Sequence, residues 1–153
     1  MGNRILALVH AVTQKLDAPA RRAFDFLADP LCLGRWSLGC FETSPAGPDG
    51  LHAGHSLFDG GKGWFRIEAV SARLTIDYLV GAPDALCRRI SARVIPGADL
   101  GYPGDICLVT LTAWRPSGME AARWKRLCAS HEAEIFLIRS QVEGLAGGPT
   151  QTG

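Results

Sequence analysis

Residues 119–143 constrain the fold of this chain more than the other segments do, because they form a long, regular stretch that is apolar along one side. At about 100° per residue, a single arc of roughly 100° collects Trp124, Leu127, Cys128, His131, Ile135, Ile138 and Val142. The side chains predicted to point elsewhere are Arg123, Lys125, Arg126, Ser130 and Glu134. The pattern predicts an amphipathic helix about 37 Å long, which is long enough to cross a whole sheet.

The residues on either side of this stretch predict where the helix begins and ends. Ser117 and Glu120 have the spacing of a capping box, in which each side chain satisfies a free backbone N–H of the first turn. Gly144 supplies a residue that can adopt the left-handed conformation of a C-terminal stop. We therefore expect the helix to occupy residues 119–143.

The length and charge of the chain limit its organisation and its partners. Its 153 residues allow one domain, which we predict over residues 1–143, followed by a flexible tail of residues 144–153. The 16 basic and 15 acidic residues nearly balance, so we expect no binding to nucleic acid or to an anionic membrane. The apolar run of residues 5–12 is interrupted by His10 and is too short for a membrane helix.

The cysteines indicate a reducing compartment. There are 5 of them, an odd number, and no two have the C-x-x-C spacing. Scattered single cysteines are typical of small buried apolar residues in cytosolic proteins, whereas a disulfide framework needs pairs. We predict a cytoplasmic protein with unpaired thiols.

The first forty residues predict one strand followed by two short helices. Residues 5–16 alternate between two faces, as a strand requires. Asp17-Ala18-Pro19 then provides a capping acid and a first-turn proline for a helix whose apolar side carries Ala20, Ala23, Phe24 and Leu27. Asp29-Pro30 interrupts this helix, and a second short helix is expected from residue 31 to about residue 35.

The middle of the chain has the short apolar segments and turn residues that are typical of an antiparallel β-meander. Short apolar segments bounded by Gly, Pro or Asp predict strands at residues 38–43, 55–58, 64–72, 74–80, 86–95 and 106–115. The glycine-rich residues 60–63 predict a hairpin turn. The fold class is therefore α+β, with a curved antiparallel sheet of about seven strands wrapped around the long C-terminal helix.

Several short motifs, together with this order of elements, resemble the START-like or helix-grip superfamily. The motifs are Asp17-Ala18-Pro19, Phe24, Leu27, Asp29-Pro30 and Trp36. This superfamily, also called SRPBCC, includes polyketide cyclases and dehydratases, the major birch-pollen allergen fold and the Hsp90-activator C-terminal domain. The resemblance extends along nearly the whole chain and implies a cavity between the sheet and the C-terminal helix. It carries over no universal catalytic residue, because the family shares its shape more than its chemistry.

His131 is the sharpest candidate for chemistry, because its imidazole lies on the predicted buried side of the long helix. Partial burial beside a polar neighbour could tune the ring for acid–base work. The competing interpretation is a neutral core histidine that is hydrogen-bonded to a strand carbonyl. His10 and Gln14 lie on the apolar face of the first strand, and they favour a polar pocket nearby.

Further candidates lie on the predicted strands. Tyr78 shares a face with Leu74, Ile76 and Val80, so its hydroxyl should seek either a ligand or a core partner. Arg88 alternates with Leu86 and Ile90, so it lies either in the cavity, where it would select an anionic or carbonyl-bearing ligand, or at a solvated rim. The residues expected to form cavity walls are Trp36, Phe65, Trp124 and Ile135.

Two motifs fail as metal or phosphate sites. His52 and His55 have a chelating spacing but no nearby third ligand, so we expect no metal. The segment 60–63 resembles a phosphate loop, yet its lysine is followed by glycine and no helix follows, so we expect a turn and no cofactor.

These observations predict a protein that binds a small, largely apolar molecule of aromatic or polyketide-like character between sheet and helix. If the protein is an enzyme, the expected chemistry is cofactor-free cyclisation or dehydration, with His131 as acid or base and Tyr78 or Arg88 polarising a carbonyl. The alternative is a non-catalytic carrier or an interaction module similar to the chaperone-activating branch. The sequence leaves open whether the protein forms a homodimer.

Overall fold

The computed structural model describes residues 7–146 of the chain. Its strands and longer helices, in chain order, are β1 (Val9–Leu16), α1 (Ala20–Ala28), α2 (Pro30–Leu33), β2 (His52–His55), β3 (Lys62–Val70), β4 (Thr75–Ala82), β5 (Ala85–Pro96), β6 (Cys107–Trp114) and α3 (Ala121–Ala146). Short 3₁₀ turns occupy Ser71–Arg73 and Gly97–Leu100.

The strands form one curved antiparallel sheet that packs against α3. The spatial order is β1-β6-β5-β4-β3-β2, so β1 and β2 are the two edges, and every pairing is antiparallel. The predicted α+β class and the arrangement of sheet and long helix are confirmed. Within the described chain the sheet has six strands, one fewer than the seven expected.

The missing strand is the one predicted at residues 38–43. Only Phe41 pairs there, in a single bridge in which its backbone exchanges two hydrogen bonds with His55. The ladder cannot continue because Glu42 has a positive φ of 50°, which turns the backbone away from an extended path. The neighbouring strand is also displaced from its predicted position at 55–58 to His52–His55, although the predicted hairpin between it and β3 forms.

The two short helices predicted after β1 are present, but Asp17 does not cap α1, which begins after Pro19 without a side-chain cap, and α2 occupies Pro30–Leu33 instead of 31 to about 35. The buried side of α1 carries Ala23, Phe24, Phe26 and Leu27. The Asp29 carboxylate caps α2 by accepting a hydrogen bond from the Leu31 backbone N–H at 2.9 Å, and Pro30 takes the first helical position. These helices lie against the concave side of the sheet and contribute to the main core.

The long helix α3 begins and ends later than predicted. Ser117 does not cap it, because residues 116–119 form a turn with Gly118 at a φ of 84°. The helix starts at Ala121 and passes through Gly144 to Ala146. The predicted stop at Gly144 is therefore wrong, and residues 144–146 of the predicted tail are helical, whereas residues 147–153 lie outside the described part of the chain.

The predicted apolar side of α3 is buried, but the helix is covered more widely than one stripe. Ile135, Ile138 and Val142 join the main core, and Trp124 packs with Met119 and Ala113 in a second cluster. Ser130 and Glu134 were predicted to point away, yet they are only 4% and 5% exposed.

Candidate functional site

A cavity of about 480 Å³ lies between the first half of α3 and strands β3, β4 and β5. The helix packs closely on β1 and β6, at one side of the sheet, so the other side is left uncovered. The segments 37–40 and 56–63 close the gap. The side chains that line the cavity from α3 and the sheet include Trp64, Val80, Arg89, Ile90, Leu127, Ser130, His131 and Glu134.

His131 lies in the wall of this cavity and is 2% exposed. The pKa of its imidazole is lowered to about 4, chiefly by burial and to a smaller extent by the nearby His10 and Arg89. The ring is therefore neutral at pH 7. Its Nδ1 atom is buried without a hydrogen-bond partner, so the strand carbonyl of the competing interpretation does not hold that nitrogen.

His10 lies beside His131 and outside the cavity wall. Its Nε2 atom is 3.4 Å from an Oε1 atom of Glu132 on α3. Its Nδ1 atom is buried and unpaired, like that of His131. Gln14 lies further along β1. It is half-buried and, like His10, does not line the cavity.

Glu134 is a cavity residue that the sequence analysis missed. It lies one turn after His131 on α3 and is almost fully buried. Desolvation raises the pKa of its carboxyl to about 8, although a hydrogen bond from the Leu38 backbone N–H opposes this shift. Glu134 is thus mostly protonated at pH 7. No sequence pattern marks it, because Glu134 lies outside the apolar arc of α3 and the segment 37–40 beside it is distant in sequence.

A β-bulge decides which arginine of β5 faces the cavity. Tyr78 pairs with Ile90 and Leu79 pairs with Arg88, so Arg89 is an extra residue between two pairs. The prediction that Arg88 reaches the cavity is wrong, because directly paired residues share a face and Arg88 follows Leu79 to the outer face. There it forms ion pairs with Glu68 and with Asp77. Arg89 lines the cavity instead.

The mouth of the cavity is basic and aromatic. Arg123 and Arg126 reach it from the solvent-exposed side of α3, and Lys62 reaches it from the start of β3. The Arg126 guanidinium lies over the Phe58 ring at 5.3 Å from its centroid, and the Lys62 ammonium lies 5.2 Å from that of Trp64.

Tyr78 and Trp36 lie in the core away from this cavity. The Tyr78 hydroxyl donates a hydrogen bond to the Leu27 carbonyl at 2.7 Å. Burial raises the pKa of that phenol, with a smaller contribution from Glu134, so Tyr78 stays protonated. The Trp36 ring meets the Tyr78 ring edge-on at 5.7 Å. Neither side chain lines the cavity. Tyr78 and Trp36 were predicted to contact a ligand, but in the structure they contact other core residues.

The remaining predicted wall residues also belong to packed clusters. Phe65, Trp124 and Ile135 are 0%, 4% and 3% exposed, and none of them lines the cavity. Their aromatic and aliphatic character gave the correct prediction of burial. It could not show which buried side chains border a void, because that depends on how far the helix lies from the sheet.

His52 and His55 lie on opposite faces of β2, because residues three apart in a strand point in opposite directions. His52 stacks on Phe65 and its Nδ1 atom lies 3.0 Å from the Ser44 carbonyl oxygen, whereas His55 contacts Phe41 edge-on. Residues 7–146 contain no group of three or more His, Cys, Asp or Glu side chains placed to hold a metal ion.

Two further findings bear on the predicted surroundings of the protein. All five cysteines are unpaired thiols. Among residues 7–146, no helix has an apolar stretch of the length that a bilayer crossing requires. The cytoplasmic location stays a prediction.

A second depression, of about 540 Å³, lies between α1, α2 and the end of α3. It is more open than the first, and its charged side chains include Arg21, Asp25 and Asp29, all of which are solvent-exposed. None of its described lining residues is a buried titratable side chain. The cavity beside His131 is therefore the better candidate site.

The cavity combines three groups with different proton chemistry. His131 is neutral and can accept a proton, Glu134 is protonated and can donate one, and Arg89 carries a fixed positive charge. Two titratable groups whose surroundings move their pKa values in opposite directions form an acid–base pair suited to neutral pH. A cation in the same space can stabilise negative charge that develops on a carbonyl oxygen.

No protein-family model matches the sequence, and no curated protein matches it. Solved structures do match. A START superfamily protein from Mycobacterium smegmatis has a TM-score of 0.64 at 14% identity and covers 90% of this chain and 98% of its own. The Zhui aromatase/cyclase from a Streptomyces species has a TM-score of 0.63 at 15% identity, with 95% and 98% covered.

A third solved structure widens the comparison. The Aha1 dimer from Colwellia psychrerythraea has a TM-score of 0.63 at 12% identity, and the match covers 90% of this chain and 97% of that one. At such identities the likeness concerns the fold alone, and it extends over nearly the full length of each chain. The order of elements and these matches together show that the chain has the START-like, helix-grip fold.

Proposed function

We propose that the protein binds a small, largely apolar molecule of aromatic or polyketide-like character in the cavity between α3 and strands β3 to β5. The cavity volume of about 480 Å³ lies within the range of about 300–1,000 Å³ that is typical of small-molecule sites. Its walls mix Trp64, Val80, Ile90 and Leu127 with a few buried polar groups. A protein of the same fold is an aromatase/cyclase, which supports a ligand of this class.

The observation that carries a catalytic function is the opposite shift of two pKa values in one cavity. His131, neutral at pH 7, can remove a proton from a carbon next to a carbonyl. Glu134, protonated at pH 7, can donate its proton to a departing hydroxyl, so that water leaves and a double bond forms. Arg89 adds a fixed positive charge that stabilises negative charge on the ligand. These three groups suit cofactor-free dehydration or aldol cyclisation.

A first experiment looks for a ligand directly. Native mass spectrometry of the purified full chain should reveal a retained small molecule, or a bound one after incubation with aromatic and polyketide-like ketones. If no compound of this class binds at any tested concentration, the proposal is refuted. An interaction module, by contrast, would bind a protein partner and leave the cavity empty.

A second experiment separates catalysis from carriage. Glu134→Gln keeps the size of the side chain and its ability to donate a hydrogen bond, but it cannot transfer a proton. An enzyme should therefore bind a β-hydroxy ketone normally and lose its dehydration activity in this variant. The control is Glu120→Gln, because Glu120 is an exposed residue before α3 and lies away from the cavity. Binding without turnover by the wild type would identify a carrier.

A further inference from the structure

Arg89 lines the cavity without an acidic partner. The ion pairs among residues 7–146 include several arginines but not Arg89. The guanidinium is partly buried, and desolvation lowers its pKa, with a further contribution from the like charge of Arg123. Burying a cation without a counter-charge is unfavourable, so this position is better suited to a protein with an anion bound than to one without.

The other titratable groups of the cavity do not compensate this charge. Glu134 could have been the counter-ion, but its raised pKa leaves it uncharged at pH 7, and His131 is uncharged as well. Together, Arg89, Glu134 and His131 therefore carry one net positive charge at pH 7, which is that of Arg89. A ligand with a single negative charge would neutralise it.

The charged side chains at the mouth strengthen this preference. Lys62, Arg123 and Arg126 are the cations there, and Asp59 is the one acidic side chain among the described lining residues of the mouth. Asp59 accepts a hydrogen bond from the Gly61 backbone N–H at 2.8 Å, which holds its carboxylate on its own loop. A basic mouth raises the local concentration of anions and speeds their entry.

Resting on the proposed function, we infer that the ligand of this cavity is an apolar carboxylate, whose carboxylate group Arg89 binds and whose apolar body contacts Trp64, Val80 and Ile90. The planar guanidinium matches a carboxylate with two parallel hydrogen bonds. The position of Arg89 at the bulge sets where the carboxylate end of the bound ligand lies.

Two probes of equal shape test this inference. 2-Naphthoate is ionised at pH 7, whereas 2-naphthamide has the same ring system and is neutral. Their dissociation constants are measured by calorimetry on the full-length protein, at low and at high salt. We expect 2-naphthoate to bind about tenfold tighter or more, as a charge-assisted hydrogen bond implies, and this advantage to shrink in high salt.

Neighbouring arginines provide the matched variants. Arg89→Gln should remove the advantage of 2-naphthoate and leave the affinity for 2-naphthamide within about twofold, since only the charged contact is lost. Arg88→Gln changes the same residue type one position earlier on the outer face, and it should leave both affinities unchanged. Arg89→Lys keeps the charge and should retain part of the preference for 2-naphthoate. This result would show that the loss in Arg89→Gln comes from the missing charge and not from a general disturbance of the strand.

The outcomes distinguish the inference from the function on which it rests. Equal affinity of the wild type for the two probes refutes the anionic ligand while leaving an apolar binding site in place. An unchanged preference in Arg89→Gln assigns the charge recognition to another residue and refutes the role of Arg89. Failure of both probes to bind refutes the binding of aromatic ligands and this inference with it. The wild-type comparison needs no variant, so it stands even if Arg89→Gln does not fold.

Discussion

The ring centroids of His10 and His131 lie 6.2 Å apart, with the rings tilted by 39°, and each ring has a buried Nδ1 atom without a hydrogen-bond partner. A positive charge on one ring disfavours a positive charge on the other, which is one cause of the low pKa of His131. Glu132, which is exposed, has its Oε1 atom 3.4 Å from the Nε2 atom of His10. The low pKa keeps the His131 ring neutral at pH 7 in the wall of the cavity.

Replacing His131 by Phe should abolish ligand binding or turnover and change stability little. The substitution keeps an aromatic ring of similar reach but removes both nitrogens, and no hydrogen bond to Nδ1 is lost. The free energy of unfolding should change by less than about 1 kcal/mol. The measurement pairs a thermal melt with ligand affinity on the same sample. Lowered stability of about 1–3 kcal/mol with normal affinity would instead make His131 a purely structural residue.

The stability of the protein should fall as the pH rises from about 6.5 to about 8. Glu134 has a folded-state pKa of about 8 against an ordinary value of 4.5, so between these values the folded state holds a proton that the unfolded state has released. His131 acts in the opposite direction between about 4 and 6.5, where the unfolded state binds the extra proton. The two effects oppose each other below pH 6.5, and Glu134 acts alone above it.

Urea unfolding at a series of pH values measures this effect. The decline above pH 6.5 should be at most about 1.4 kcal/mol per pH unit, the value for one proton. Glu134→Gln should flatten the decline, and the exposed-site control Glu120→Gln should preserve it. In His131→Phe the decline should begin near pH 4.5, because the opposing proton uptake is gone. A wild-type profile that is flat between pH 6.5 and 8 would show that Glu134 has no raised pKa.

Replacing Tyr78 by Phe should destabilise the protein without changing ligand affinity. The variant loses the hydroxyl that donates to the Leu27 carbonyl and leaves that acceptor buried and unpaired, at a cost of about 1–3 kcal/mol. Because Tyr78 does not line the cavity, the dissociation constant of a bound ligand should stay the same. Chemical denaturation and calorimetry on one preparation provide both values. A loss of ligand affinity in this variant would show that Tyr78 contributes to the binding site.

Replacing Gly54 by Ala should destabilise the edge of the sheet at β2. A Cβ atom there would lie 2.8 Å from Cys40 Sγ and 2.9 Å from both the Cys40 backbone carbon and the Phe41 carbonyl oxygen. Backbone atoms cannot move aside easily, so the change should cost about 1–3 kcal/mol. Gly104→Ala is the control, because a Cβ atom at Gly104 meets nothing within 4 Å. Equal melting temperatures of the two variants would contradict the close packing of β2 on the segment 37–43.

The sequence predicted the α+β fold and the buried side of α3 well, because both depend on periodic patterns that each segment carries itself. The strand predicted at 38–43 does not form, because Glu42 adopts a positive φ, which a glutamate at this position does not predict. The prediction also failed at Ser117, which has the spacing of a helix cap but lies in a turn. Such local conformations depend on how the surrounding residues pack, and a short sequence pattern carries no information about that packing.

The candidate site was predicted less completely than the fold. His131 was found because it is a titratable residue on an apolar stripe. Glu134 was missed because its burial comes from the segment 37–40, which is distant in sequence. Tyr78 was correctly placed on the inner face of its strand, but an inner face includes both packed core and empty space, and alternation cannot separate the two.

The bulge in β5 makes the charge of the cavity depend on strand register. Two arginines stand side by side in the sequence, and the one extra residue decides which of them lines the cavity and which pairs with Glu68 and Asp77. Removing the extra residue, Arg89, would restore strict alternation, leave Tyr78 paired with Ile90 and Leu79 paired with Arg88, and take this cation out of the cavity wall. Chains with almost identical composition can therefore differ in the charge of this cavity through the length of a single strand, with no substitution in the cavity wall.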